Sequence, residues 1–141
     1  MTRTGSEGFS AGRAAKLSGV PYRTLDYWAR SKFLVPTLAR AAGKGTMRLY
    51  SFQDLVALRV ARELRSAGIS LQSLRKVIRH LRGRRRTASF ADTFLVSDGR
   101  DVFERRGDDL ISTLRQPGQL ALAWLIDLGQ VVEELERAIA A

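Results

Sequence analysis

The sequence predicts a mainly α-helical protein that ends in a small α+β unit, and three observations support this. Apolar residues recur at helical spacing through most of the first 82 residues. An Asp-Gly pair then separates two runs of β-forming residues, a specific signal for a hairpin. The charge also changes sign along the chain, with 19 Lys and Arg against 4 Asp and Glu through Arg86, and 5 against 10 after it. This asymmetry predicts that the first part faces a polyanion, because arginines chosen only for solubility would not be segregated.

Composition argues against several classes of protein. A hydrophobic content of 45% indicates a packed globule. The absence of cysteine excludes disulfides and thiolate metal sites, and a single histidine argues against a histidine site, so we expect no cofactor and no metal. No apolar run approaches the roughly 18 residues of a membrane span, and the N-terminus lacks the core of a secretory signal. We therefore expect a cytoplasmic protein without a membrane partner.

Four segments follow from the shifts in composition. They are a disordered tail over 1–8, a basic helical domain over 9–82, a basic linker over 83–91 and a small α+β unit over 92–141. The arginine run at 84–86 in the linker either touches phosphates or is solvated, and the sequence leaves both readings open.

The first helix is capped by Ser10 and runs to about Leu17. A Ser-Gly turn follows, and Pro21 suits the first position of a second helix that ends near Ser31. Two short helices joined by such a turn are typical of a helix-turn-helix.

The second helix has two different faces. Leu25, Trp28 and Ala29 share the face that we expect to be buried. The opposite face combines aromatic and basic residues, which is typical of a helix that enters a DNA groove. Its residues are Tyr22, Arg23, Asp26, Tyr27 and Arg30.

A basic loop with two glycines follows the second helix. Phe33–Val35, before Pro36, reads as an extended piece, and 47–50 reads as a return strand. Together they predict a two-stranded wing that grips the phosphate backbone, and a solvated surface loop is an equally good reading of the loop alone. The basic residues of this loop are Arg40, Lys44 and Arg48.

Two further helices complete the predicted four-helix domain. Ser51 and Asp54 form a capping box for a helix that runs to about Ala67. The next helix begins at about Ser70 and ends at Gly83. We expect both to be scaffold for the helix-turn-helix, with His80 a surface residue or a favourable charge at a helix end rather than a ligand.

The last 50 residues predict the order ββαβα. The strands of the hairpin flank Ser97–Arg100, and a short helix follows over 108–115. The apolar run 120–128 is either a strand or the first half of a helix, and we favour a strand to about Ile126, because Asp127 can cap a helix that starts there. We expect the glutamates of that last helix to lie on a solvated face. A unit this small also needs support from the first domain or from a second subunit.

The residues from Phe9 to Leu81 resemble the DNA-binding domain of MerR-type transcriptional regulators. The resemblance rests on AAKLSGV in the first helix and turn, RTLDYWARSKFLVP in the recognition helix, RLYS at the end of the wing, and DLVALRVARELRSAGISLQSLRKVI in the helix pair. The forms LDYWARS and SDG look most like an actinobacterial-type branch with a short C-terminal domain.

The resemblance implies roles at the matching positions. Arg23 and Tyr27 fall where family members contact DNA from the recognition helix, and Arg48 and Tyr50 fall in the wing motif. Asp26 stands where an arginine is usual, so its carboxylate must meet a base amino group or pair with a neighbouring arginine. The long dimerisation helix of the family is missing after the fourth helix, so any dimer must form through the C-terminal part.

The sequence therefore supports two hypotheses about function. The first is a homodimeric regulator that reads a pseudo-palindromic promoter site on double-stranded DNA and distorts it, with RNA polymerase at the promoter as a candidate partner. The alternative is an interaction module, such as an antitoxin or adaptor, whose acidic C-terminal unit holds a protein. No polar pair at catalytic spacing stands out, so we do not expect an enzyme.

Overall fold

The computed structural model describes residues 8–39, 47–83, 90–99, 101–115 and 123–141. These residues are mostly helical and include small β-sheets, as the sequence predicts. The elements, in chain order, are β1 (Phe9–Ser10), α1 (Ala11–Ser18), α2 (Tyr22–Arg30), β2 (Leu49–Tyr50), α3 (Phe52–Ser66), α4 (Leu71–Arg82), β3 (Thr93–Ser97), β4 (Val102–Arg106), α5 (Gly107–Arg115), β5 (Trp124–Asp127) and α6 (Leu128–Ala140).

The helix-turn-helix forms through local signals. The Ser10 side chain accepts a hydrogen bond from the Arg13 N–H and caps α1. Gly19 ends α1 with φ of 81°, a left-handed conformation that favours glycine. Pro21 lies one position earlier than predicted, at the N-cap of α2. The helix ends at Arg30, and Lys32 then adopts φ of 64°, which is strained for a residue with a side chain.

The predicted strand at Phe33–Val35 is wrong. Phe33 and Leu34 form a bend and donate their N–H groups back to the Trp28 carbonyl, and Val35 belongs to no strand. The arm that returns from the wing pairs instead with Ala39, whose N–H and carbonyl both bond to Leu49. On its other side Leu49 is the register partner of Ser10 in β1. The root of the wing is therefore fixed to the start of the chain.

The helices α3 and α4 supply the scaffold. Ser51 and Asp54 form the predicted reciprocal capping box of α3, and the Ser70 side chain caps α4. Most side chains of α3 are buried, including Leu55, Leu58 and Ala61 at 0% exposure. A helix buried on so much of its surface lies at the centre of the domain.

The C-terminal part contains an antiparallel sheet in the order β4-β3-β5. The central strand β3 places Leu95 opposite Glu104 on one side and Ile126 on the other. Within the run 120–128, Trp124–Asp127 forms the strand β5 and Leu128 begins α6. The Asp127 side chain accepts from the Gln130 N–H to cap α6. This outcome agrees with the preferred reading of that run.

One hydrophobic core runs through both parts of the chain. Leu128, Val131 and Leu135 of α6 belong to the same buried cluster as the helices of the first part. Arg59 of α3 also pairs with Glu134 of α6 and, at 2.8 Å, with Glu63. The prediction that the glutamates of α6 are all solvated is therefore wrong for Glu134.

His80 is likewise more than an isolated surface residue. Its Nε2 atom lies 2.8 Å from Oε1 of Glu104, so the side chain ties α4 to β4. The partner is 24 residues away along the chain, and helical periodicity carries no information about such a contact.

Several predictions fall on residues outside the described ranges. They concern the tail, the wing residues Arg40 and Lys44, the arginines 84–86, the hairpin residue Arg100 and the start of the run at 120–122. Among the described residues, no helix is long and apolar enough to cross a membrane.

Candidate nucleic-acid interface

The helix α2 has the two faces that its sequence predicts. Leu25, Trp28 and Ala29 are buried. Tyr22 and Tyr27 are 56% and 59% exposed, although tyrosine is a large, partly apolar side chain. Exposed aromatic rings beside exposed arginines form a surface suited to base edges and phosphates. The exposed arginines of this face are Arg23 and Arg30.

Two contacts hold α2 against its scaffold. The Trp28 and Phe33 rings lie 5.2 Å apart, centroid to centroid, in a tilted arrangement. The guanidinium of Arg75, on α4, lies 5.6 Å from the centroid of the Phe33 ring. The end of α2 is thereby attached to α4 through Trp28 and Phe33. The burial of Leu25 and Trp28 confirms that both belong to the supporting side of the helix.

Asp26 pairs with two arginines. Its Oδ2 accepts from Nε of Arg30 at 2.9 Å, one helical turn further on. Its Oδ1 accepts from Nη1 of Arg48 at 2.6 Å, across 22 residues of chain. Hydrogen bonds from Arg48 and then Arg30 hold the pKa of Asp26 below its usual range. The structure thus supports the second of the two roles considered for Asp26.

Arg48 is the basic residue at the root of the wing. Its side chain is only 17% exposed, and its position next to Leu49 ties it to the strand pairing at that root. The hydrogen bond to Asp26 raises the pKa of Arg48. A guanidinium carries five N–H donors, so a bond from Nη1 leaves it able to donate to a phosphate as well.

Tyr50 does not fit the prediction of a DNA contact. Its side chain is fully buried at 0% exposure, in the register position opposite Phe9. Burial raises the pKa of Tyr50 to about 12. Its hydroxyl has no hydrogen-bond partner among the described residues. The resemblance placed Tyr50 in the wing motif, but packing makes it a core residue.

Asp54 has a second role that its capping motif does not reveal. Besides capping α3, this buried carboxylate accepts from the Thr37 N–H at 2.7 Å and the Thr37 hydroxyl at 2.6 Å. Arg82 of α4 donates to the same hydroxyl at 2.8 Å. Thr37 lies directly before the residues that pair with Leu49, so this network anchors the incoming arm of the wing.

The acidic part of the chain presents a different surface. An open groove between α6 and the 90–92 segment is lined mainly by carboxylates and apolar groups, among them Asp92, Glu133 and Glu136. Such a surface repels a polyanion. Within the described ranges, no three His, Cys, Asp or Glu side chains come together as metal ligands would.

Comparison with known proteins gives a consistent result. The profile of MerR HTH family regulatory proteins matches residues 9–81. The chain is 40% identical over 112 residues to proteins of Mycobacterium bovis and of two Mycobacterium tuberculosis strains, each described as an uncharacterized HTH-type transcriptional regulator. These alignments cover 79% of this chain and 49% of each relative, so the chain spans about half the length of the curated relatives it matches.

Proposed function

This chain belongs to the MerR family of helix-turn-helix regulatory proteins, and on that premise we propose that it is a sequence-specific, DNA-binding transcriptional regulator. The observation that carries the proposal is the exposed face of α2, which presents Tyr22, Arg23, Tyr27 and Arg30 together. Removing aromatic rings from solvent costs little free energy. A helix that binds in the major groove uses such rings together with arginines.

Arg23 is the residue we propose for base recognition. It lies in the first turn of α2, the part of a recognition helix that enters the groove. An arginine there can donate two hydrogen bonds to O6 and N7 of a guanine. Tyr22 and Tyr27 would flank it and contact sugars, phosphates or thymine methyl groups.

The wing supplies phosphate contacts in this proposal. Arg48 lies beside α2 through its bond to Asp26, and Arg30 extends the same charged surface. Arg40 and Lys44, outside the described residues, are proposed to reach further along the backbone. Tyr50 is left out of the contact set because its side chain is buried.

We further propose that the regulator is a homodimer. Two recognition helices would then enter successive major grooves about 34 Å apart on a pseudo-palindrome, and the site would be distorted as they bind. The acidic C-terminal part, where Ile111 and Leu125 are exposed apolar residues, is the part proposed to form the dimer. RNA polymerase at the same promoter would be the further partner.

The test is binding to DNA as a function of salt. A duplex selected by the protein from a random pool is compared with a shuffled duplex of the same composition. Specific recognition predicts an affinity ratio of about 10³ or more, with a linear fall of log affinity against log salt. Equal affinity for both duplexes would refute sequence-specific regulation, and a footprint with a bend measurement on the selected site would then test symmetry and distortion.

A further inference from the structure

A carboxylate lies inside the basic surface proposed to face DNA. Asp26 occupies the middle of α2, and its side chain is 32% exposed, so it is neither buried in the core nor turned away from solvent. By charge alone, an acid at this place repels phosphate and weakens binding. We therefore expect Asp26 to contribute to DNA binding in another way that offsets this repulsion.

The geometry of Asp26 provides such a contribution. Each of its two oxygens accepts from a different arginine, Oδ1 from Arg48 at the wing and Oδ2 from Arg30 on the same helix. Arg48 adjoins Leu49, which is hydrogen-bonded to Ala39 and is the register partner of Ser10. The carboxylate is thus a direct link between the recognition helix and the root of the wing.

We propose that Asp26 is a positioning residue that fixes the recognition helix relative to the wing, so that Arg48 and the exposed face of α2 meet one DNA site in a single register. The proposal rests on the proposed function and deepens it. The gain lies in preorganisation, because long arginine side chains that are already held lose less conformational entropy on binding. A fixed spacing between base and phosphate contacts favours the correct site over others, whereas the negative charge itself disfavours all DNA equally.

The two arginines also favour the ionised form of Asp26. The pKa of Asp26 is lowered by its bonds to Arg48 and Arg30, so the side chain remains charged and paired at neutral pH. The three groups together carry a net charge of +1, against +2 for the two arginines without the acid. Charge and positioning therefore make opposite predictions for removal of Asp26.

The variant Asp26→Asn separates the two effects. If Asp26 positions the arginines, affinity for the selected duplex falls about tenfold, as expected for side chains in direct contact, while affinity for the shuffled duplex stays the same or rises. Glu63→Gln is the matched control, since Glu63 is also an ion-paired carboxylate of the basic part, bonded to Arg59 at 2.8 Å. That control should leave the ratio of the two affinities unchanged.

A double-mutant cycle with Arg48→Ala isolates the link. Once Arg48 is absent, Asp26→Asn should no longer lower the affinity for the selected duplex, because the bond between α2 and the wing is already gone and the remaining bond to Arg30 lies within α2. Thermal melting of each variant checks that it is folded at the assay temperature. The same binding measurements are repeated with Asp26→Ala as a second substitution. Alanine is a strong helix former, so it should not disturb α2.

Three results would overturn the proposal. They are a rise in affinity for both duplexes on Asp26→Asn, an equal fall for both, or an equal effect with and without Arg48. The proposed function fails in a different way, namely when the unaltered protein itself selects no duplex or binds the selected and shuffled duplexes alike.

Discussion

Asp54→Ala is the substitution expected to damage the domain most through a polar contact. Asp54 is 1% exposed, and its carboxylate accepts from the Ser51 N–H, the Thr37 N–H and the Thr37 hydroxyl. Nε of Arg82 lies 3.8 Å away. Alanine removes the acceptor for all of these donors and cannot replace any of them.

The cost follows from those contacts. Loss of a capping partner costs about 1 kcal/mol. Each buried donor left without an acceptor adds about 1–3 kcal/mol, with the lower figure apt for Thr37, which water can reach. We therefore expect a loss of about 3 kcal/mol in the free energy of unfolding, which for a chain of this size lowers the melting temperature by roughly 10 °C.

Asp54→Asn is the matched control. An amide oxygen in the position of Oδ2 keeps both backbone N–H groups bonded. The amide NH2 then replaces Oδ1, so the variant loses the charge near Arg82 and the acceptor for the Thr37 hydroxyl, which water can reach, and the cost should stay at about 1 kcal/mol. Urea denaturation measures both variants. A loss below 1 kcal/mol for alanine, or equal losses for the two variants, would refute the idea that Asp54 anchors the wing through these hydrogen bonds.

Four other substitutions test the interface and the fold. Arg23→Ala should lower affinity for the selected duplex by about 1–3 kcal/mol and relax sequence preference, while Arg137→Ala, in the acidic part, should not; a uniform loss across sequences would make Arg23 a phosphate contact only. Arg48→Ala should weaken binding to every duplex and reduce the slope of log affinity against log salt by about 1, and an unchanged slope would remove it from the phosphate contacts. Tyr50→Phe should stabilise the protein by about 1 kcal/mol in urea denaturation, since it removes a buried hydroxyl without a partner among the described residues, and DNA affinity should stay within twofold; a clear loss of affinity would return Tyr50 to the contact set. Lys32→Gly should raise the free energy of unfolding by up to about 1 kcal/mol. Glycine removes the strain of the left-handed backbone at this position, and this gain exceeds the cost of the greater entropy that glycine gives the unfolded chain. A lower denaturation midpoint would contradict this.

The starts of α1, α3, α4 and α6 were predictable because their causes are local. Ser10, Ser51, Ser70 and Asp127 each cap the helix that follows, and each bond joins residues three positions apart. Such contacts are encoded in short motifs that can be recognised without any knowledge of the fold. The buried and exposed faces of α2 were predictable for the same reason, since helical periodicity alone separates them.

The errors concern contacts that join distant parts of the chain. The partner of Leu49 was expected at 33–35, but the chain bends there and Ala39 forms the pair. Tyr50 was placed among the DNA contacts by analogy with a motif, which specifies position in the chain but not burial. The partners of Glu134 and His80 also lie far away in sequence, at Arg59 and Glu104.

Asp26 shows where local sequence information ends and knowledge of the fold becomes necessary. Helical spacing, which is a property of the chain alone, was enough to place the carboxylate on the exposed face of α2. It left open whether that carboxylate meets a base or an arginine. Only the fold brings Arg48 within 2.6 Å of it, because that distance depends on how the wing root pairs with Ala39 and with the start of the chain. Electrostatic partners are chosen by distance in space, and no local pattern encodes a contact across 22 residues.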